Sequence, residues 1–351
     1  VSPYSATRLE RFAACAFAHF LQYGMKLTER VEYEFKPMDM GNVMHGALES
    51  FAEEVRKRGM KWTELTEQER NEIADRCLDN IVADYGNTVL KSSARNEYMI
   101  ERTRRILRRT VWALQKQLEQ GEFQPEGFEV TFGGGRIDRV DIMEDQNKVY
   151  VKVIDYKTGN TSFDLVYLYH GLQLQLMIYL DGALRVEQKK YPDKEIIPAG
   201  VFYYNIKDPM IQEKIDADVE AVSAGLMKEL KMNGLVQADP ELVYRMDSSL
   251  GSIPVAFNKD GSFRKNSSVA DRTQFAVLGR YVRTKIEKIR SSILEGDAEV
   301  SPYELGKKNA CTYCPYMTVC GFDRRLSGYE FRRLKNFSDE ELWKAFDREA
   351  E

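Results

Sequence analysis

The chain has 351 residues, enough to bury a core in one large domain or two ordinary ones, and its 43% hydrophobic and 30% charged content describes a soluble globular protein. No apolar run approaches a membrane span and no secretory signal opens the sequence, so a cytoplasmic protein without a membrane partner is expected. The net charge of −4 leaves any contact with nucleic acid to local patches rather than to the total. The first residue is Val1 rather than Met, which points to a piece of something longer. No internal repeat and no G-x-x-x-x-G-K-[ST] loop is present, so ATP hydrolysis is expected to belong to segments or subunits outside this chain.

In chain order, residues 5–24 read as a helix ending at Gly24, carrying Cys15 and, one turn later, His19, taken as a packing or capping residue. A polar connection to about Pro37 leads into a helix from Gly41 through Arg58, with His45 near its start. Two or three helices fill Trp62 to Gln120, with Thr63 and Thr66 as caps and Cys77 as a small packed hydrophobe. In the last of these, Arg102, Arg104, Arg105, Arg108 and Arg109 cluster around an apolar stripe. That face is either solvated or tracks DNA phosphates, and "FDRRLSGYEFRRLK" near the C-terminus raises the same choice.

A sheet begins near Phe128, where Glu129 is an accessory carboxylate or an ion-pair partner. Arg136 to Glu144 and Val149 to Lys157 are rich in Ile, Val and Tyr, and the Asp145-Gln146-Asn147-Lys148 stretch between them has turn chemistry. Centring the turn between Gln146 and Asn147 sets Ile142 opposite Val151, Val140 opposite Val153 and Asp138 opposite Asp155. One face is then apolar near the turn and ends in Asp138, Asp155 and Lys157. The other, with Arg139, Asp141, Lys152 and Tyr150, is mixed and expected to meet water. Two carboxylates side by side repel unless a cation or proton lies between them, and the hard, oxygen-seeking cations are Mg²⁺ and Mn²⁺. Such a metal with a phosphate in its shell activates water for phosphodiester hydrolysis, with Lys157 orienting or deprotonating that water or neutralising developing charge. The bland reading is a surface ion pair of Lys157 with Asp155.

Beyond the lysine, Asp164 to Val186 reads as one helix holding Gln175 and Tyr179 on a shared face. Residues 196–206 form a buried strand, Glu213 to Met232 a helix, 242–268 an irregular hairpin excursion, and Thr273 to Glu295 a helix. Cys311, Cys314 and Cys320 then form a C-x2-C-x5-C array, able to hold one metal centre with a fourth ligand from Cys15 or Cys77.

Asp138 followed by Asp155-Tyr156-Lys157 resembles the core of PD-(D/E)xK nucleases, and "GRIDRVD…IDYKTG" is similar to their RecB-type branch. "MGNVMHGALESF" carries His45 where that branch has a histidine thought to add a metal ligand, and Gln175 to Tyr179 is similar to its Q-x-x-x-Y helix motif. The start, "SPYSATRLERFAACAFAHFLQYGMKL", looks like that of the AddB nuclease domains of AddAB helicase–nucleases, whose one cysteine before the core and three after it hold a [4Fe–4S] cluster.

The resemblance implies a restriction-endonuclease-like α/β fold with a mixed central sheet flanked by helices. It implies a nuclease domain spanning 1–351: a helical region 1–122, core 123–210, helices and excursion 211–300, a cysteine segment 301–326 and a tail 327–351. Implied metal ligands are His45, Asp138, Asp155 and the Tyr156 carbonyl, with Asp138, Asp155, Lys157, Gln175 and Tyr179 in catalysis. Cys15, Cys311, Cys314 and Cys320 are implied as cluster ligands, with zinc as the structural alternative. The implied activity is Mg²⁺- or Mn²⁺-dependent degradation of one strand of unwound duplex, the 5′-ended one, in double-strand break repair, with an AddA-like helicase–nuclease partner. The cluster would staple the first twenty residues to the last fifty. The family also leads one to expect a longer excursion than Gly133-Gly134-Gly135 allows. A DNA-binding and subunit-docking module is the second reading, and a non-nuclease metal hydrolase a weak third.

Overall fold

A computed structural model of the chain describes residues 4–28, 37–84, 93–133, 135–212 and 218–350, the side chains of 37 and 38 aside. Helices α1 (Ala6–Ala14), α2 (Ala16–His19), α3 (Pro37–Lys57), α4 (Glu67–Asp84) and α5 (Ala94–Glu119) precede the sheet. Strands β1 (Gln124–Phe132), β2 (Gly135–Asp145) and β3 (Lys148–Lys157) follow, then α6 (Leu165–Tyr169), α7 (Gln175–Lys190) and β4 (Glu195–Asn205). The chain continues through α8 (Val219–Glu229), β5 (Asn233–Gln237), α9 (Pro240–Met246), β6 (Val269–Ala270) and α10 (Arg272–Leu294). It closes with β7 (Tyr303–Leu305), β8 (Lys308–Asn309), α11 (Met317–Cys320), β9 (Arg332–Arg333) and α12 (Asp339–Ala350).

The six strands β1 to β6 lie side by side in chain order. The β1–β2, β2–β3 and β4–β5 pairs are antiparallel, whereas β3–β4 and β5–β6 are parallel. The parallel β3–β4 step needs a crossover, and α6 and α7 provide it. Helices cover both faces of this mixed α/β sheet. Residues of α3, α4, α5 and α9 build one core with Met143, Tyr150, Ile154 and Tyr156. Those of α1, α7, α10 and α12 build the other with Val140, Ile142, Val151 and Val153. Alternation along β2 and β3 thus feeds both cores, and a one-residue slip would exchange them, each buried aliphatic side chain being worth about 1.5–3 kcal/mol.

The hairpin pairs Val140 with Val153, Ile142 with Val151 and Glu144 with Val149, the register that the turn chemistry predicts. Gln146 turns the chain with φ of 43°. The face expected to meet water is buried instead: Arg139 is 2% exposed, Asp141 0%, Lys152 5% and Tyr150 8%. The helical layer of α3 and α5 covers it, and the charges satisfy one another. Arg139 Nε lies 2.5 Å and Lys152 Nζ 2.9 Å from the Asp141 carboxylate. Trp62 and Phe128 flank the guanidinium, each 5.7 Å away.

Several elements depart from their expected bounds. The first breaks at Cys15, whose φ of −166° and ψ of 118° are extended, and ends in a π turn over Phe20–Gly24. The helix after the lysine splits into α6 and α7 where Gly171 adopts φ of 77°. Residues 242–246 belong to α9, which Asp239 caps and Pro240 starts, so the excursion begins only after Met246 and narrows to a Phe257–Phe263 bridge. Thr66 forms a reciprocal cap with Glu69, whereas Thr63 lies within the turn Trp62–Glu64. Of the expected helix Glu213 to Met232, the described part runs from Val219 to Glu229, and residues 213–217 lie outside the described residues. Phe132 pairs directly with Gly135, so β1 and β2 join through a tight hairpin containing Gly133, with Gly134 outside the described residues.

Candidate active site

The site forms where β2 and β3 run out of ladder. Backbone pairing stops at Arg139–Ile154, and the next pair in register is Asp138 with Asp155. Asp138 Oδ2 instead accepts the backbone N–H of Tyr156 at 2.7 Å. His45, from the third turn of α3, reaches over this end of the sheet. Its Nδ1 lies 3.4 Å from Asp138 Oδ2 and 3.9 Å from Glu129 Oε1, while Nε2 is 3.1 Å from the Tyr156 carbonyl. Glu129 is aimed here by a strand irregularity: its φ is 49°, and the β1–β2 register shifts between Pro125 and Gly127. Among the described residues, ligand atoms of His45, Glu129 and Asp138 come within 4.8 Å of one another.

Asp155 sits on the same end of β3, 1% exposed. Its buried Oδ2 is 2.6 Å from Lys157 Nζ, an ion pair at hydrogen-bonding distance. Burial, and then the neighbouring Asp138, raise its carboxyl to about 7 despite Lys157. Burial works against a charged imidazole at His45, but Asp138 and Glu129 outweigh it and push the ring up to about 10. Without a metal, protons therefore balance the carboxylates. Buried carboxylate oxygens with one imidazole match the donor set of Mg²⁺ or Mn²⁺.

Lys157 is held from its far side. Its Nζ donates to Gln175 Oε1 at 2.8 Å, and Gln175 Nε2 donates to the Tyr179 hydroxyl at 2.9 Å. The two residues four apart on α7 thus share one task. The loop that follows Lys157 is pinned by Asn205 and Asn233, whose side chains bond the backbone of Thr161 and Phe163.

Glu10 gives little sign in the sequence. It lies on α1, and its Oε1 accepts the backbone N–H groups of Leu174 and Gln175 at 2.7 and 2.9 Å. Only the charge of a glutamate on a helix otherwise half buried hints at it. The arginine stripe is largely spoken for: Arg104 bonds Asp79, Arg105 bonds Asp208, Arg108 bonds Asp75, and Arg109 lies over Trp112. Near the C-terminus, exposed Arg325 pairs with Asp323, two residues away, and Arg332 donates to the Ala13 carbonyl. His19 is buried, accepts from Arg8 at 3.1 Å, and is lowered to about 4 by burial and then Arg8, as suits a packed neutral ring.

Cys15, Cys311, Cys314 and Cys320 line one small pocket between the chain's first and last parts. Cys77 is buried elsewhere, in the core of α3, α4 and α5. Burial and then the three other thiols push Cys311 up to about 11, so it needs a metal before it sits there as a thiolate. The same seam carries bonds from Phe17 N–H to the Glu299 carbonyl at 3.0 Å and from the Tyr316 hydroxyl to the Leu27 carbonyl at 3.1 Å.

Comparison with known proteins places this geometry. The chain is 43% identical over 370 residues to the B-type subunit of the ATP-dependent helicase/deoxyribonuclease of Lachnoclostridium phytofermentans, covering 99% of this chain and 32% of that protein. It is 35% identical over 371 residues to the corresponding protein of Thermoanaerobacter sp., and 35% over 374 residues to that of Alkaliphilus metalliredigens, with the same coverage. The chain therefore spans about a third of the length of the curated relatives it matches. The family model of the PD-(D/E)XK nuclease superfamily matches residues 3–321, nearly the whole chain, and the chain belongs to that superfamily.

Proposed function

We propose that the chain is the nuclease domain of an AddB-like subunit, cutting one strand of DNA unwound by an AddA-like helicase partner during repair of double-strand breaks. The observation that carries this reading is the meeting of His45, Glu129 and Asp138 at the strand end where buried Asp155 pairs with Lys157. His45, Asp138, Asp155 and the Tyr156 carbonyl would hold Mg²⁺ or Mn²⁺, with Glu129 close enough to join them. A bound metal supplies an activated water and a counter-charge for a phosphodiester.

The chain's own residues do the rest. Lys157, paired with Asp155 and bonded to Gln175, holds its cation at a fixed point, where it orients the attacking water or neutralises charge gathering on the phosphate. Tyr179 supports Gln175 in turn. Asp138, gripping the Tyr156 N–H, fixes the carbonyl of that same residue toward His45.

We assign Cys15, Cys311, Cys314 and Cys320 to a [4Fe–4S] cluster. The four thiols line one pocket, the one-before, three-after set of cysteines that holds such a cluster in the AddB nuclease domains this chain resembles, with zinc as the structural alternative.

The test is to incubate the anaerobically purified chain with end-labelled single-stranded and duplex DNA, with Mg²⁺, with Mn²⁺ and with EDTA. Cutting of the single strand in either metal and none in EDTA is expected. Binding without cutting in any metal would replace this reading with a DNA-binding and docking module.

A further inference from the structure

We propose that Glu10 is a positioning residue for Lys157, acting through the start of α7. The proposal rests on the nuclease reading above for its kinetic consequence, but not for the contact chain itself.

A helix begins with N–H groups that have no partner in the helix. Here Leu174 occupies the cap position of α7 and offers no side-chain acceptor. Glu10 supplies it from α1, 164 residues away, one carboxylate oxygen accepting from both Leu174 and Gln175. Gln175 is at once the first residue of α7 and the residue whose amide oxygen accepts from Lys157. The Glu10 carboxylate thus fixes the backbone of the very residue whose side chain fixes the lysine. The relay has three hydrogen-bonded steps and no slack residue between them: Glu10 to Gln175 N–H, Gln175 to Lys157 Nζ, and Gln175 to Tyr179.

The other end of Glu10's helix is also anchored. α1 stops at Ala14, its Ala13 carbonyl accepts from Arg332, and Cys15 lines the cysteine pocket. α1 therefore runs as a strut from the cysteine seam to the lysine. Nothing in the PD-(D/E)xK motifs themselves requires a glutamate on the N-terminal helix.

The experiment compares the whole chain carrying Glu10→Ala, Glu10→Gln, Glu10→Asp, Gln175→Ala and the Glu10→Ala/Gln175→Ala pair, with iron content and melting temperature checked for each. Lys157 is read directly by competitive amine acetylation and mass spectrometry, with exposed Lys344 as internal reference. Glu10→Ala and Gln175→Ala should each raise Lys157 labelling several-fold, and the pair no further. Glu10→Gln, whose amide oxygen can accept the same two bonds, should match the parent. Glu10→Asp, one methylene short, should behave like Glu10→Ala.

In cleavage assays Glu10→Ala should lower kcat about 10- to 100-fold at nearly constant KM, the scale of a displacement of about 1 Å. Should Glu10→Ala not fold, the Gln and Asp variants carry the comparison. Unchanged Lys157 labelling in Glu10→Ala or Glu10→Asp, or effects of Glu10 and Gln175 that multiply, would overturn the relay. Labelling needs neither DNA nor metal, so a parent that does not cut removes the nuclease reading and leaves this test standing.

Discussion

Asp138 and Tyr156 meet across 2.7 Å, the tyrosine's backbone N–H donating to the aspartate's Oδ2 where the β2–β3 ladder ends. The bond replaces the next ladder step and turns the same residue's carbonyl toward His45. A single residue pair thus ends the β2–β3 ladder and aims two oxygens at one place.

His45 sits between carboxylates and a carbonyl, so His45→Ala should weaken Mn²⁺ binding at least about tenfold, measured by calorimetry at neutral pH. Unaltered affinity would remove it from the ligand set.

Metal affinity should also depend on pH. Asp155, raised to about 7 by burial and Asp138, keeps a proton below that pH, and His45, raised to about 10, carries one throughout the neutral range. A metal must displace both, so Mn²⁺ binding should weaken as pH falls through 7, by more than about tenfold per unit once both protons count. The stability signs follow from linkage. The fold keeps a proton on Asp155 that the unfolded chain releases near pH 4, so the metal-free protein should lose stability as pH rises from about 4 to about 7. The His45 contribution is complete below about 6.5 and lost as pH passes 10. Chemical unfolding in EDTA across pH 4–7 checks the first of these.

Asp141 offsets two buried cations, Arg139 and Lys152. Asp141→Ala should cost about 3–5 kcal/mol in denaturant unfolding, because it strands both charges away from water. A loss under about 1 kcal/mol would mean that water reaches them.

Cys15→Ser should abolish iron binding and expose the N-terminal helix to protease, since Cys15 and the array beginning at Cys311 join the two ends of the chain. Bonds from Phe17 and Tyr316 cross the same seam, so the fold should loosen there rather than collapse. Protease resistance equal to the parent's after iron loss would contradict a structural role.

The hairpin was legible because side chains alternate and the turn residues mark its centre; together these set the register that brings Asp138 and Asp155 to one end. Arg139, Asp141 and Lys152 misled for the converse reason. Charge on a strand reads as a wet face, and only the packing of α3 and α5, distant in sequence, reveals that it is dry. The break at Cys15 hides because Ala and Phe on both sides favour a helix, while the extended residue serves a pocket built by the other end of the chain. Glu10 hides similarly, its partners lying 164 and 165 residues on. Local pattern encodes the period and the turn; which charges meet is decided by contacts between remote segments.

The measurement that bears most directly on the site is cleavage of end-labelled single-stranded DNA in Mg²⁺ by the parent and by Asp155→Ala, with DNA binding followed in parallel. Parent cutting that falls about 10³-fold or more in the variant, with binding retained, is the predicted result, as expected when a metal ligand is lost. Undiminished cutting by Asp155→Ala would contradict the claim that a metal and a phosphate belong between Asp138, Asp155 and Lys157.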